Sequence, residues 1–220
     1  MASRTEQPWL DSATAAYIAA RAPAADEVLN DLRAETEALG DVSTMQVSAD
    51  QGALLTLLTG VSGVSYAVEV GTFTGYSSIC IARGLPPDGH LLCCDVSTEY
   101  TAIAQQAWAA AGVAERIELR IAPAVETLRA LPADADIDLA FIDADKQSYL
   151  SYYEELLPRV RPGGVVLVDN TLWSGRVADP DADDGDTVAI RTFNDAVAAD
   201  DRVESYVLPV SDGLTLIRKR

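Results

Sequence analysis

Three oxygen-bearing side chains follow two apolar segments of the sequence and could together hold a metal ion. Asp143 follows Phe141-Ile142, and Asp169-Asn170 follow Val165-Val166-Leu167-Val168. If these segments are neighbouring parallel strands, their carboxyl ends meet at one edge of a sheet, where ligands bind in such folds. Two carboxylates and an amide, completed by water, form an octahedral oxygen site for a hard cation. The pattern therefore predicts a site for Mg²⁺, with Mn²⁺ or Ca²⁺ as alternatives.

Each of these acids also has an ordinary structural interpretation. Asp169 could cap the segment that follows it. Asp143 could form an ion pair with Lys146, three residues further along the chain. Either interpretation accounts for one acid alone, whereas two acids and an amide at adjacent strand ends favour the metal site.

A second candidate site lies around a glycine-containing loop, Glu69-Val70-Gly71-Thr72-Phe73-Thr74-Gly75. An apolar run precedes the loop and a helix-like segment, residues 77–83, follows it, so we predict a strand, a tight loop and a helix. Gly71 would let bare backbone approach a ligand, and the helix N-terminus would add unpaired N–H groups. Phe73 replaces a glycine of the dinucleotide-binding pattern, and the loop lacks the lysine of a P-loop. An ordinary turn without a ligand is the alternative.

A carboxylate at the end of this strand favours a ligand with an amino group and a positive charge. We expect Glu69 to point into the crevice, and S-adenosylmethionine has the matching amino-acid tail, sulfonium and nucleoside. Asp95 ends the next apolar strand, about 24 residues after Gly71, where a doubly wound fold places a carboxylate on ribose hydroxyls. Capping of the helix that starts near Thr98 is the alternative role for Asp95.

The elements that must position these side chains alternate between strands and helices. We predict one α/β domain with a doubly wound, mostly parallel, seven-stranded sheet and a closing hairpin that gives an antiparallel edge strand. Residues 1–45 form extra N-terminal helices, and residues 46–220 form the cofactor- and metal-binding core. The predicted strands are residues 66–70, 90–95, 116–121, 136–143, 165–170, 203–208 and 214–218.

Local signals predict further boundaries in this core. Ser48, with Gln51 three residues later, predicts a capping box at the start of a buried helix. Gly60 and Gly63 are expected to end that helix. Pro162-Gly163-Gly164 predicts a turn before the fifth strand.

The composition argues against several classes of function. The 220 residues carry 34 acids against 16 lysines and arginines, a net charge of −18, which repels nucleic acids and anionic membranes. Three cysteines in apolar runs and a single histidine argue against a disulfide framework or a zinc site. The sequence shows no secretory signal and no apolar run of bilayer length. We expect a cytoplasmic protein that binds neither nucleic acids nor membranes.

Three stretches of the sequence together resemble a known family. They are Val68-Glu69-Val70-Gly71-Thr72-Phe73-Thr74-Gly75-Tyr76-Ser77, Phe141-Ile142-Asp143-Ala144-Asp145-Lys146 and Asp169-Asn170-Thr171-Leu172-Trp173-Ser174-Gly175. The chain resembles the cation-dependent class I O-methyltransferases, the group of caffeoyl-coenzyme A and small bacterial O-methyltransferases, with catechol O-methyltransferase as a cousin. The resemblance runs from about Met45 to the C-terminus.

The resemblance implies roles for individual residues. Asp143, Asp169 and Asn170 would hold the metal, and Lys146 would stand where the family places its proposed base. Ala122 departs from the glycine that the group often has before Pro-Ala. The implied contacts with S-adenosylmethionine come from Val47, Glu69, Gly71, Thr72, Ser77, Asp95, Ala124 and Asp143.

The resemblance also implies a homodimer. The apolar faces of the leader helices predict the same assembly, since the sheet unit need not cover them fully. These faces include Trp9, Leu10, Tyr17, Ile18, Val28, Leu29 and Leu32.

The implied reaction transfers a methyl group from S-adenosylmethionine to a hydroxyl of a small phenolic acceptor such as a catechol. The metal would lower the pKa of that hydroxyl. Lys146 would accept the proton if burial lowers its own pKa, and Trp173 could form a wall for the aromatic ring. A non-catalytic nucleoside-binding protein with this fold is an alternative, and a dinucleotide oxidoreductase is another that Phe73 disfavours.

Overall fold

The buried apolar runs of the sequence form the strands of one sheet in the computed structural model, which describes residues 12–21 and 23–220. The strand order within these residues is β3-β2-β1-β4-β5-β7-β6. The strands are β1 Tyr66–Val70, β2 His90–Asp95, β3 Ile117–Ile121, β4 Ile137–Ile142, β5 Val160–Val168, β6 Val203–Leu208 and β7 Leu214–Lys219.

Strands β1 to β5 pair in parallel, and the order reverses between β1 and β4. Strand β7 is antiparallel to both β5 and β6. The predicted doubly wound, mostly parallel sheet of seven strands is confirmed. Its closing hairpin forms one edge, with β6 outermost and the antiparallel β7 one position further in.

Helices cover both faces of the sheet because its strands are apolar on both sides. Alternate residues of β1, such as Ala67 and Val68, belong to two different apolar clusters. One cluster lies beneath α6, α7 and α8, and the other beneath α2, α3, α4 and α5. The helices are α1 Ser12–Ala19, α2 Glu27–Glu37, α3 Ala49–Val61, α4 Tyr76–Gly84, α5 Thr98–Ala110, α6 Ala124–Ala130, α7 Tyr149–Leu156 and α8 Gly185–Ala198.

The leader helices differ in how they contact the sheet unit. Asp26 caps α2, whose Leu29 and Leu32 are buried in the second cluster. Tyr17 and Ile18 of α1 are exposed by 60% and 52%, so the homodimer stays a prediction that these side chains support. The predicted contributions of Trp9 and Leu10 lie outside the described residues. Within those residues, no helix combines the length and the apolar character needed to cross a bilayer.

A polar network ties the leader to the glycine loop. The hydroxyls of Thr36, in α2, and Thr74, in the loop, are hydrogen bonded at 2.9 Å. Gln46 Nε2 donates to both hydroxyls, at 2.9 and 3.2 Å. Thr36 and Thr74 are almost fully buried, so these bonds lie where water does not compete for them.

Two local predictions are wrong, and a third holds in part. The Ser48 side chain makes no capping bond. Helix α3 continues through Gly60 to Val61, but Gly63, with a φ of +61°, directly follows its C-cap and ends the helix as predicted. Pro162-Gly163-Gly164 lies inside β5. The register between β4 and β5 shifts at this point: Ile137 is opposite Val160, whereas Leu139 is opposite Val165. The predicted turn is instead a local irregularity within the strand, which is possible because Gly163 adopts a φ of +79°.

The central strands approach most closely where β1 ends. Gly71 has a φ of +90°, and a Cβ at this position would lie 1.9 Å from the carbonyl oxygen of Asp143. Backbone hydrogen bonds connect the strand ends from Gly71 N to Cys94 O and from Asp143 N to Val70 O, both at 2.9 Å. Only glycine fits here, because any side chain would push β1 and β4 apart.

We predict that Gly71→Ala lowers the free energy of unfolding by about 3–5 kcal/mol, since backbone strain and a clash with backbone add together. Gly63→Ala is the matched control: its φ is also positive, at +61°, but its added Cβ would meet nothing within 4 Å. It should cost only the strain, about 1–2 kcal/mol. Urea unfolding measures both, and equal losses in the two variants would contradict the argument.

Candidate functional site

A cavity of about 1010 Å³ opens at the carboxyl ends of the parallel strands, at the point where the strand order reverses. Doubly wound folds bind their ligands at this place. All but one of the site residues predicted from the sequence line it. These residues are Val47, Gly71, Thr72, Ser77, Asp95, Ala124, Asp143, Lys146, Asp169 and Asn170.

Asp95 holds the glycine loop in place. Its Oδ2 accepts hydrogen bonds from the backbone N–H groups of Thr72 and Phe73, both at 2.9 Å, and its Oδ1 accepts one from Ser97 N at 2.8 Å. The alternative role as a helix cap belongs to Ser97 instead, whose hydroxyl accepts from Tyr100 N. A carboxylate has about four acceptor sites, so one remains for a ligand in the cavity.

Two aromatic side chains form a wall next to this loop. Phe73 and Tyr100 meet edge to face, with ring centroids 4.9 Å apart, and both line the cavity. Phe73 has a φ of 50°, an unfavourable backbone conformation for a bulky residue. The residue that breaks the dinucleotide pattern is thus part of the site. Tyr100 was missed by the sequence analysis, because an aromatic residue in an amphipathic helix is also typical of a core.

Glu69 does not line the cavity, contrary to our expectation. Its side chain is fully buried, and the Cys93 thiol donates to its Oε2 at 3.3 Å. Burial raises the pKa of the Glu69 carboxyl to about 8, although the neighbouring Ser77, Cys93 and Thr72 side chains oppose the shift. At neutral pH this group is mostly protonated, so the crevice does not contain the negative charge we expected there.

The candidate metal ligands come together as the sequence predicted. Asp143 and Asp169 directly follow Ile142 and Val168, which are paired across β4 and β5. Burial raises the pKa of both carboxyls, and the neighbouring charge of Asp143 raises that of Asp169 further. Asn170 adopts a φ of 56° and donates its backbone N–H to Asp169 Oδ1 at 2.7 Å. The charges of the two carboxylates interact, and a cation would stabilise the ionised form of both.

Lys146 lies among the same residues. Its Nζ donates to Asp143 Oδ1 at 3.1 Å, to Asn170 Oδ1 at 2.7 Å and to the Tyr149 hydroxyl at 2.6 Å. The Tyr149 hydroxyl in turn donates to the backbone oxygen of Asp169 at 3.0 Å. The ion pair weighed as an alternative is therefore present, alongside the convergence of the ligands. Tyr149 was missed because nothing in its sequence context separates it from a core aromatic.

A loop rich in acids borders the far end of the cavity. Trp173 lies with its ring 5.8 Å from Lys146 Nζ and lines the cavity together with Asp145, Asp186 and Asp212. The acid-rich segment that follows is structured, because the Arg191 guanidinium donates to the backbone oxygens of Arg176, Val177, Asp179 and Ala182. Its acids Asp179, Asp181, Asp183 and Asp184 are exposed to solvent.

The residues that the structure describes contain no group of three or more His, Cys, Asp or Glu side chains arranged to hold a metal ion. A cation at this strand end would therefore depend on two carboxylates, one amide oxygen and water. That all-oxygen set has no soft ligand and suits Mg²⁺ or Mn²⁺ rather than zinc.

Known proteins are similar to this chain over most of its length. Residues 19–220 match the family model described as O-methyltransferase. The chain is 44% identical to probable caffeoyl-CoA O-methyltransferase 2 of Dictyostelium discoideum, over 80% of this chain and 78% of that protein. It is 41% identical to caffeoyl-CoA O-methyltransferase 2 of Zea mays, over 90% of this chain and 78% of that protein.

Solved structures agree with the curated relatives. The O-methyltransferase TomG from Streptomyces achromogenes, in complex with SAM, has a TM-score of 0.86 and 32% identity, covering 99% of both chains. An O-methyltransferase from Bacillus cereus, in complex with SAH, has a TM-score of 0.87 and 30% identity, covering 97% of this chain and 99% of that one.

The buried carboxyl of Glu69 predicts a pH-dependent stability. The folded protein keeps this proton up to about pH 8, whereas the unfolded chain loses it near 4.5. Folding therefore takes up a proton within this window, and the stability contributed by Glu69 falls as the pH rises through it. We expect Glu69→Gln to remove this loss, a difference on the order of 4 kcal/mol at the alkaline end.

Urea unfolding of wild type and Glu69→Gln between about pH 5 and pH 8 measures the difference. Titration of Asp169 occurs in both proteins, and Asp143, whose charge contributes to the raised pKa of Glu69, is the smallest of the causes of that shift. Glu204→Gln, on the exposed edge strand, controls for the substitution itself. Parallel stability curves for wild type and Glu69→Gln would show that Glu69 is charged in the folded protein.

Proposed function

The chain belongs to the O-methyltransferase family, as an S-adenosylmethionine-dependent enzyme of the caffeoyl-coenzyme A type, and from this premise we propose that it methylates one hydroxyl of a small vicinal dihydroxy aromatic with the help of a divalent cation. One observation carries the proposal. Asp143, Asp169, Asn170 and Lys146 meet in the same cavity as the glycine loop, so a methyl donor and a chelated acceptor can lie side by side.

The cofactor would lie along the wall that the glycine loop forms. The similar structures in complex with SAM and SAH support the identity of this cofactor. Gly71 and Thr72 would offer backbone to it, the remaining acceptor site of Asp95 would bind ribose, and Ala124 would pack on the adenine edge. Val47 and Ser77 complete the wall, and Glu69 would act from behind it through Thr72 and Ser77.

The cation proposal rests on the oxygen donors and on their electrostatics. A bound Mg²⁺ would act as a Lewis acid that lowers the pKa of an acceptor hydroxyl. Asp143, Asp169 and Asn170 would hold it. Burial raises the pKa of both carboxyls, and the charge of Asp143 raises that of Asp169 further although Lys146 opposes both shifts; a divalent charge would stabilise the ionised form of both, which supports the fit.

The residues of this chain would then position the acceptor and manage one proton. In its neutral form, reached when the ammonium releases one of its three protons to solvent, Lys146 Nζ would receive the proton of the reacting hydroxyl. Tyr149 and Asn170 keep Nζ facing the cavity through their hydrogen bonds. Trp173 would pack on the aromatic ring of the acceptor and limit its rotation. Much of the acceleration would come from this positioning, because no covalent intermediate on the enzyme is needed.

The charges at the rim support a small acceptor. Asp145, Asp186 and Asp212 line the cavity in a chain of net charge −18, a field that repels the phosphates of a coenzyme A ester. The coenzyme A ester is nevertheless the second candidate acceptor, because curated relatives carry the name caffeoyl-CoA O-methyltransferase. We favour an uncharged or weakly acidic catechol.

Transfer of labelled methyl from S-adenosylmethionine tests both parts of the proposal. We expect transfer to a simple catechol and to caffeic acid, lost with a chelator and restored by Mg²⁺ or Mn²⁺. The specificity constant for caffeoyl-coenzyme A should be lower than that for caffeic acid by about tenfold or more at low salt. The difference between the two constants should become smaller as added salt screens the acids that line the cavity. Activity that survives the chelator refutes the cation requirement, and a large advantage for the coenzyme A ester refutes the small acceptor.

Substitutions should separate the proposed base from the proposed ligand. Asp169→Ala should lower activity in a way that added Mg²⁺ or Mn²⁺ corrects only weakly. Lys146→Ala should lower turnover by about 10²–10⁴-fold, the usual scale for a general base. It should not weaken cation binding, because the Lys146 ammonium is not a ligand and competes with the cation for the Asn170 oxygen. Lys219→Ala, which removes the only other lysine of the chain, is the matched control and should turn over normally.

The acidity of the acceptor provides the decisive measurement for Lys146. Nitro-substituted catechols ionise without help, so the defect of Lys146→Ala should shrink with them and grow with methyl-substituted catechols. If the ratio of mutant to wild-type turnover is the same across this series, Lys146 is not the base and only balances the neighbouring carboxylates.

A further inference from the structure

A fully buried glutamine lines the cavity without a hydrogen-bond partner. Gln51, in the first turn of α3, has no exposed surface, and neither Nε2 nor Oε1 bonds to any group in the part of the chain that the structure describes. Burying an amide unpaired is costly, and native proteins rarely do so without a reason. A group that the cavity holds during function is such a reason.

The local sequence offered this side chain another partner, and the protein does not use it. In the capping box that the sequence predicts, Gln51 would reach back to the backbone of Ser48. The Ser48 side chain makes no capping bond, and its hydroxyl is buried without a partner in the described residues. The Gln51 side chain is instead part of the cavity wall.

Tight helix packing keeps Gln51 in this position. The next residue, Gly52, lies so close to α4 that a Cβ would come within 2.7 Å of the Tyr76 ring and 2.9 Å of the Cys80 sulfur. The first turn of α3 therefore cannot shift towards α4 to release Gln51. A rigid backbone that holds an unpaired amide in a ligand cavity is the arrangement expected of a positioning residue.

The group that Gln51 can reach is the carboxylate of Asp169. Both side chains are buried in the wall of the same cavity, Gln51 with no exposed surface and Asp169 with 2%, and the two side chains interact there. Asp169 Oδ1 already accepts the backbone N–H of Asn170 at 2.7 Å. An ionised carboxylate accepts hydrogen bonds and donates none. The Gln51 atom that can bond to it is therefore the donor Nε2.

We propose that Gln51 is a positioning residue of the cation site, whose Nε2 donates to the Asp169 carboxylate and fixes the orientation in which that carboxylate binds the metal. The inference rests on the proposed cation requirement. Asp169 is then oriented from two sides, by the backbone of Asn170 and by the side chain of Gln51. Partners of this kind typically contribute 10- to 100-fold to metal affinity.

Gln51→Met tests the proposal, because methionine keeps the length of the side chain and removes both polar atoms. Calorimetry with Mn²⁺ should show an affinity about 10- to 100-fold weaker than that of wild type, with unchanged affinity for S-adenosylhomocysteine. The melting temperature in chelator should stay the same or rise, because an unpaired buried amide has been replaced by an apolar group. Gln51→Leu should behave alike, and Ser48→Ala, in the same turn, should keep the Mn²⁺ affinity of wild type.

The outcomes separate this proposal from the function on which it rests. A wild type that binds neither Mn²⁺ nor Mg²⁺ refutes the cation site and the role of Gln51 with it. A wild type that binds Mn²⁺ and a Gln51→Met variant that binds it equally well refute the role of Gln51 alone. A variant with a lower melting temperature and unchanged Mn²⁺ affinity shows that Gln51 serves the packing of α3 and nothing more.

Discussion

The contact between the backbone of Gly71 and the carbonyl oxygen of Asp143 sets the geometry of the whole site. It brings β1 and β4 together at the point where the strand order reverses, so the turn after β1 and the acids after β4 border one cavity. A side chain at residue 71 would separate the two halves of that cavity. Asp95 then fixes the loop that leaves β1, through backbone hydrogen bonds that need no particular side chains in the loop.

Features governed by strand ends were predictable from the sequence. Buried parallel strands appear as continuous apolar runs, and their carboxyl ends meet at one edge whatever the intervening helices do. The convergence of Asp143, Asp169 and Asn170 follows from that rule alone. The glycine loop and Asp95 were found in the same way, because their spacing along the chain reflects one strand–helix–strand unit.

Features governed by the direction of a single side chain were not predictable. Glu69 precedes the last residue of β1, and the alternation of the strand turns it into the layer between sheet and helix, where burial keeps it protonated. Gln51 matched a local capping pattern, but tertiary packing gave it another position. Tyr149 looked like an ordinary core aromatic, yet its hydroxyl supports both Lys146 and the backbone of Asp169. In each case, contacts between residues far apart in sequence decide the outcome.

The bonds of Thr36 and Gln46 to Thr74 have a consequence for how this enzyme can diversify. A buried polar network joins the N-terminal segment to the glycine loop, so a change in one alters the packing of the other. A relative that acquires a different N-terminal segment must keep these hydrogen bonds or replace them with others. In chimeras that exchange the N-terminal segment between relatives, the residue at position 74 should therefore be exchanged together with the segment.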